Sequence, residues 1–455
     1  MPPVAAMAYH DAPMETATMR RARPDRVGEA EIADLTHEGR GVARVHGKVV
    51  FIDGALPGER VRYERIRRKP EFDTGRVLEV LRPAPDRVAP GCPHFGVCGG
   101  CVLQHLDAAA QIRAKQKILL DNLERIGSVR PARVLEPLAG PAWGYRARAR
   151  LGVKYVHGKG RVLVGFRERN KRYVADLAAC PVLAPPVDRL LRPLGALIGR
   201  LTLRDRIPQV EVAVGADRCA LVLRVLAPPT AADREAMAAF EQAHGVDLWL
   251  QPKGPRTAVA LREGTPLPSY ALPEFGLRLA FSPTQFTQIN PAVNQAMVRQ
   301  AVRLLAPRPQ DRVLDLFCGL GNFSLPLARH SGEVVGVEGE PELVARARAN
   351  ARDNRIGNAR FVTADLSAPD PSAWGSGPFQ RVLLDPPRTG AREALGVVAA
   401  TGAARVMYVS CNPATLARDA GILAHEYGLR LEAAGVMDMF PHTAHVESMA
   451  LFLRP

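Results

Sequence analysis

The sequence predicts an α/β protein: a doubly wound domain with a mostly parallel sheet, preceded by an OB-like β-barrel and a β-rich central module. Three observations predict it. From Asp311 onward the apolar runs RVLDLF, EVVGVE, RFVTAD, RVLLD and RVMYVS alternate with the helical patterns LARHS, PELVARARANARDN and TLARDAGILAHEYG, the rhythm of strand–helix–strand units. Between Glu31 and Leu81 five short alternating runs are parted by Gly39-Arg-Gly41, His46-Gly47 and Pro57-Gly58, which reads as a small barrel. Finally, a chain of 455 residues exceeds the roughly 250–300 that one core supports.

In chain order, residues 1–27 hold Pro2, Pro3, Pro13 and Pro24 without periodicity and read as a disordered tail. Residues 28–83 make the barrel. Its last two strands carry Arg60, Arg62, Arg65, Arg67, Arg68, Lys69 and Arg76, a face suited to single-stranded RNA. Residues 84–270 form the central module. A Pro-, Gly- and Cys-rich stretch opens it, then a helix over 107–127 with Asp107 as N-cap and Gly127 as stop, free to pack on the last domain. The runs YRARARLGVKYV, VLVGF, VEVAV and CALVLRVL follow as strands. Arg146, Arg148 and Arg150 alternate along the first of them, lining an RNA groove or a solvated face. Residues 271–455 form the doubly wound domain, which closes on a hairpin of LEAAGVMDM and ESMALFL.

Lys and Arg number 61 against 46 Asp and Glu, a net charge of +15 that implies a polyanionic partner, nucleic acid before membrane. No run approaches the roughly 18 apolar residues of a membrane helix. The first thirty residues contain Asp11, Glu15, Asp25 and Glu29 and read as neither secretory signal nor transit peptide. Seven cysteines are too few for a disulfide scaffold; a cytoplasmic, reducing compartment follows, where they serve as ligands, nucleophiles or filler.

The first strand of the doubly wound domain ends in Asp315-Leu-Phe-Cys-Gly-Leu-Gly-Asn-Phe323. Gly319 and Gly321 permit a tight turn at the sheet edge where such folds bind ligands. Ser324 stands where a dinucleotide fingerprint has its third glycine, which weakens an NAD reading. Glu338 ends the second strand, placed to hold ribose hydroxyls. Asp365 ends the third and Asp385-Pro-Pro-Arg388 the fourth, so acids at four successive strand ends form a polar rim. DLFCGLGNF, VEG and DPPR in this order resemble the Rossmann-like class I methyltransferases that use S-adenosylmethionine. Amine-directed members of that class have Asn-Pro-Pro-aromatic. An Asp at this place would accept a bond from an imide N–H such as uracil N3, or serve the cofactor, which hints at a carbon target in a uracil ring.

The fifth strand ends in Ser410-Cys411-Asn412-Pro413, a bend that would expose the thiol, and Glu447 enters the last core strand, where an acid is costly unless paired or functional. C5 of uracil is a poor nucleophile. A thiolate adding to C6 makes the ring an enolate whose C5 attacks a sulfonium methyl; a base then removes the C5 proton and the thiolate leaves. Cys411 and Glu447 fit nucleophile and base, acting on a nucleotide flipped from its stack.

Cys92-x5-Cys98-Gly-Gly-Cys101, with Cys180 further on, suggests a metal site. Zinc and an iron–sulfur cubane both take four thiolates, and the spacing does not choose between them. It is not the Cys-x3-Cys-x2-Cys run of radical enzymes.

SCNPATLARD, DMFPHTAHVESMALFL and Phe281-Ser-Pro-Thr-Gln-Phe-Thr-Gln-Ile-Asn290 closely resemble the RNA uracil-C5 methyltransferase family. The resemblance implies Cys411 as nucleophile and Glu447 as base. It implies S-adenosylmethionine bound by Gln288, Phe317, Asn322, Glu338, Asp365 and Asp385, the last touching either cofactor or uracil. As in the family's bacterial 23S rRNA members, it also implies a [4Fe–4S] cluster on Cys92, Cys98, Cys101 and Cys180. EGRGVARVHGKVVFIDGALPGERV is similar to a TRAM domain, an RNA-binding barrel. Within the family this combination of modules implies formation of 5-methyluridine at position 1939 of 23S rRNA. Position 747, tRNA, and a non-catalytic RNA-binding iron–sulfur protein are the other readings. A monomer without protein partners is expected.

Overall fold

The computed structural model describes residues 26–375 and 377–455; the tail expected over 1–27 falls almost wholly outside the described residues. The chain forms two compact units.

The described residues up to Thr36, with Arg40–Pro85, make the first. Its six-stranded sheet places Val27–Glu31 beside Arg60–Arg68, then Phe72–Arg82, Lys48–Asp53, Arg40–Val45 and Asp34–Leu35. Alternation turns Ala43, Val50, Ile52, Val61 and Tyr63 inward to a small core. Three register shifts between Arg60–Arg68 and Phe72–Arg82 bend this long pair. The sequence pattern gave five strands; the sixth, Val27–Glu31, buries only Ala30 and so has too little apolar alternation to stand out. Much of the basic strip is neutralised by neighbours: Arg60 pairs with Glu29 at 2.9 Å, Arg62 with Glu79 at 2.6 Å and Arg76 with Glu64 at 2.8 Å. Arg67 and Arg68 stay exposed.

The second unit comprises His37–Gly39 and Asp86–Pro455. Its main sheet has eight strands. We label seven in chain order: β1 (Arg312–Leu316), β2 (Glu333–Glu338), β3 (Ala359–Thr363), β4 (Arg381–Leu384), β5 (Arg405–Ser410), β6 (Arg430–Met437) and β7 (Glu447–Leu453). The order is 3-2-1-4-5-7-6, with Arg133–Val134 added beyond β6. The first five run parallel; β7 is antiparallel to β5 and to β6. The strands are apolar throughout because both faces are covered. Leu383 and Met407 face one core with Val298 and Ala301 of the helix Pro291–Leu305. Leu384 and Tyr408 face another with Leu416 and Ala420 of the helix Pro413–His425.

The helix Ala108–Arg125 joins this second core through Leu119 and Leu123. Asp107 caps it by accepting from the Ala109 and Ala110 N–H groups. Gly127 lies just past its end and lets the chains close up: a Cβ there would stand 2.3 Å from the Ala417 carbonyl oxygen.

The central sheet orders Val259–Ala260, Asp247–Gln251, Cys219–Arg224, Gln209–Val214, Arg148–Val156 and Arg161–Gly165. It also carries two helices, Leu191–Arg200 and Ala231–His244, which the strand pattern did not announce. Pro193, Gly195 and Gly199 depress the first one's helical propensity, and burial of Leu191, Leu194, Leu197 and Ile198 overrides it. A separate hairpin, Ser269–Leu272 with Leu277–Ala280, leads into the main sheet. Among the described residues no helix is long and apolar enough to cross a membrane.

Candidate active site

β1 delivers Asp315 to the carboxyl edge of the sheet, and the chain turns at once. Phe317, Gly319 and Gly321 all have positive φ, 63°, 55° and 97°; for a residue as bulky as Phe317 that is strained backbone of the kind found at ligand sites. The Gly319 N–H donates to Glu338 Oε2 at 3.1 Å and the Glu340 N–H to its Oε1 at 3.0 Å, so main chain fixes the acid at the end of β2 against the glycine turn. Asp315 is fully buried, 0% exposed. The Ser324 hydroxyl donates to its Oδ2, while its Oδ1 has no partner among the described residues. Burial pushes this carboxyl up to about 7, and the acids Asp385 and Glu338 add to the shift. Burial alone pushes Asp385 up to about 7 as well. Three acids and an orphaned carboxylate oxygen around the turn suit a positively charged ligand. Ser324, the departure from the dinucleotide pattern, here serves Asp315.

The other rim residues differ in freedom. Asn322 is held in a network: it accepts from the Tyr270 hydroxyl at 2.8 Å and exchanges amide bonds with Asn294 at 3.0 and 2.9 Å. Asp365 is exposed and accepts from the Ser367 N–H and hydroxyl at 2.8 and 2.7 Å, which holds its carboxyl below the usual range. Gln288 is half-buried, two residues before Asn290, which caps the helix Pro291–Leu305.

The loops after β4 and β5 are laced together. Asn412 Nδ2 donates to the Arg388 carbonyl at 3.0 Å, and Arg418 donates to the Thr389 carbonyl at 2.9 Å. The Cys411 thiol is half-buried and feels the positive charge of the Arg388 guanidinium. Burial pushes it up to about 11; Glu447 and Asp385 add to this and Arg388 opposes it. Glu447 is the first residue of β7, opposite Met437 in the ladder and 6% exposed. Burial pushes its carboxyl up to about 8, with Asp385 adding and Arg388 and Lys115 opposing. Asp385, Arg388, Cys411 and Glu447 thus lie within electrostatic reach of one another, although they come from three different strand ends.

Lys115 escaped the sequence reading. It lies on the helix Ala108–Arg125, 1% exposed, and donates to Asp438 Oδ1 at 2.6 Å and to the Phe440 carbonyl at 2.9 Å. One turn earlier, Gln111 accepts from the His442 N–H at 2.8 Å and donates to the Leu103 and Leu106 carbonyls. Gln111, Lys115, Leu119 and Leu123 recur every four residues and are all buried. Two polar members in a buried stripe were the available signal.

Cys92, Cys98, Cys101 and Cys180 line one cavity, walled also by Phe166 and Leu177. Burial pushes Cys101 up to about 11 and Cys180 up to about 12, with neighbouring thiols adding. Among the described residues no three His, Cys, Asp or Glu side chains converge so as to hold a single metal ion. Cys219 and Cys318 are buried at 4% exposure each. The alternating arginines do not line a groove. Arg148 donates to the Pro283 and Gln285 carbonyls, both at 2.7 Å, tying down the segment that holds Gln288. Arg146 lies over the Phe166 ring and Arg150 pairs with Glu211 at 3.1 Å.

A sheet in the order 3-2-1-4-5-7-6, with a glycine turn after β1 and an acid at the end of β2, defines a Rossmann-like class I methyltransferase domain. A family model described as tRNA (Uracil-5-)-methyltransferase matches residues 275–372 and 374–454, and one for the TRAM domain matches 24–63. The 23S rRNA (uracil(1939)-C(5))-methyltransferase RlmD of Alkalilimnicola ehrlichii is 55% identical over 96% of this chain and 98% of its own length. The protein of the same name from Thiobacillus denitrificans is 52% identical over 93% of this chain and 99% of its own. The crystal structure of Pyrococcus abyssi tRNA (uracil-54, C5)-methyltransferase in complex with S-adenosyl-L-homocysteine shares the fold, with TM-score 0.72 and 22% identity over 94% of this chain and all of that one, 100%. The chain belongs to the RNA uracil-C5 methyltransferase family, alongside its RlmD members.

Proposed function

We propose that the chain methylates C5 of a uridine in 23S rRNA to 5-methyluridine, at position 1939, with S-adenosylmethionine as donor. The observation that carries this is that Cys411, Glu447, Asp385 and Arg388 lie within electrostatic reach of one another beside the glycine turn. S-adenosylmethionine supplies an electrophilic methyl on a cationic sulfonium. The residues that would hold it are Gln288, Phe317, Asn322, Glu338, Asp365 and Asp385. The unpartnered Oδ1 of Asp315 and the raised carboxyls around the turn support a cationic ligand.

Arg388 stabilises the Cys411 thiolate, whose sulfur bonds to C6 of the uracil. The C5=C6 electron pair becomes an enolate, and C5 takes the methyl as the methyl–sulfur bond of the donor breaks, its electron pair staying on sulfur in the departing S-adenosylhomocysteine. Glu447 removes the C5 proton, the double bond re-forms and Cys411 leaves as thiolate, so atoms and charge balance. Glu447 must be ionised to accept the proton, so this last step quickens as pH rises through about 8.

The cavity in the central module supports a [4Fe–4S] cluster on Cys92, Cys98, Cys101 and Cys180. Four thiols set around a cavity rather than converging on a point suit a cubane, in which each thiolate takes a different iron. It takes no part in the transfer. Nucleophile and base lie on one chain, which supports a monomer; the rRNA substrate and the free cysteines support the cytoplasm.

The test is anaerobically purified protein with methyl-labelled S-adenosylmethionine and unmodified 23S rRNA, 16S rRNA and tRNA in parallel, with the product mapped. Label at 1939 of 23S rRNA is expected. Label at 747 or in tRNA overturns the substrate and keeps the chemistry; no label in any RNA, with the donor bound, overturns both.

A further inference from the structure

We propose that Lys115 is a positioning residue for the reaction. From the helix Ala108–Arg125 it holds the turn between β6 and β7 and, as a buried cation, favours the proton-accepting form of Glu447. The inference rests on Glu447 being the base.

The geometry is specific. Lys115 Nζ reaches Asp438, the residue after β6, at 2.6 Å and the Phe440 carbonyl at 2.9 Å. Gln116 accepts from the Val436 N–H at 3.1 Å, and Gln111 clamps His442 through its N–H. The Val102 and Leu103 N–H groups donate to the His442 carbonyl at 2.8 and 3.0 Å. One helix face therefore grips residues 436–442, the segment that leads to Glu447. The ion pair is buried, with side-chain exposure of 2% for Lys115 and 8% for Asp438, and a buried pair is weak evidence of a stabilising purpose in itself. A salt bridge needed only to pin the turn would be as good with the charges exchanged. The sign chosen supplies a positive charge that opposes the protonation of Glu447. The charged and titratable groups facing Glu447 are Asp385, Arg388, Lys115 and the Cys411 thiol. Two of these are cations. Arg388 faces the thiol as well, acting on Cys411 and contacting His445. Lys115 is the fixed one.

The experiment compares the full-length holoenzyme with Lys115→Met, Lys115→Met/Asp438→Asn and Lys115→Arg in single turnover on 23S rRNA. Formation and resolution of the covalent RNA adduct are followed separately from pH 6.5 to 9.5. Glu447→Gln is run beside them. Both Met variants should form the adduct at close to the wild-type rate. They should resolve it roughly threefold more slowly near pH 7.5, a deficit that fades as pH rises because the limb has moved up by about half a unit. Lys115→Arg should restore the wild-type profile. The double variant removes both charges, so it remains informative where the single one fails to fold. An unmoved limb in a folded double variant, or equal slowing of formation and resolution at every pH, overturns the proposal and leaves Lys115 as scaffold. Absence of a trapped adduct in Glu447→Gln overturns the assignment of the base itself, and the proposal with it.

Discussion

Cysteine occurs in two kinds of place in this molecule, and burial does not tell them apart. Cys411, after β5, and Cys101, in the cavity of the central module, are both pushed up to about 11, and Cys180 to about 12. The difference lies in what faces them. Cys411 looks at the Arg388 guanidinium and at two carboxyls. The cavity thiols look mainly at one another, with Arg146 opposing the shift only at Cys98 and Cys101. A thiol set among unlike charges can be switched on and off by protons. A thiol set among thiols becomes an anion only when a cation arrives to be shared.

The comparison breaks most sharply at Cys411. Cys411→Ala should abolish methyl transfer, a loss of at least about 10³-fold, with S-adenosylmethionine still binding and the melting temperature little changed; full activity in that variant would remove Cys411 from the chemistry. Cys98→Ser and Cys180→Ser should do the reverse. They should bleach the visible absorbance expected of a cluster and lower the melting temperature by several degrees, while the folded fraction still forms the covalent RNA adduct. Retention of iron and colour in both would refute the ligand set.

A subtler contrast concerns the cofactor half of the crevice. The folded state holds protons on Asp315, Asp385 and Glu447 more tightly than the unfolded chain does, since all three carboxyls are raised, to about 7, 7 and 8. The stability this contributes is fully present below the ordinary carboxylate range, about pH 4, and is lost progressively as pH rises from there through 7 to 8. A cationic ligand offsets the loss. S-adenosylmethionine should therefore bind more tightly at pH 8 than at pH 6 and raise the melting temperature more there, while neutral S-adenosylhomocysteine should show a much flatter pH dependence; calorimetric titration of both ligands checks it. The smallest effect is expected in the barrel. Arg67→Glu/Arg68→Glu should weaken RNA binding modestly and reduce the salt dependence of log affinity by about 2, measured by titration at several ionic strengths, with the rate on bound RNA unchanged.

The doubly wound sheet was legible because its strands are buried on both faces and so read as apolar runs ended by chemistry: Glu338, Asp385 and Cys411 fall where a run stops, and Asp315 one residue before the end of β1. The cavity cysteines were legible from spacing and resemblance. Lys115 was not, because its partner Asp438 lies 323 residues away and the one local signal, polar residues in an otherwise apolar stripe, does not point to that partner. Arg148 misled for a related reason. Alternation says which way a side chain leaves a strand, and the carbonyls of Pro283 and Gln285 that receive it come from a distant loop. The helix Leu191–Arg200 was hidden by its own proline and glycines, whose cost only tertiary packing repays.

The two-residue strand Arg133–Val134 pairs with Ala433 and Ala434 on β6, and the central sheet together with β1 to β5 is strung between these partners. The catalytic sheet is therefore finished by chain made long before the sheet itself. A contact spanning some 300 residues, Arg133 to Ala433, is slow to form and must close a very large loop. Until it does, β6 presents a bare edge open to pairing with another chain. Folding of the reaction centre is thus timed by the module that precedes it, and a cut anywhere between the two would release an enzyme with an unfinished border.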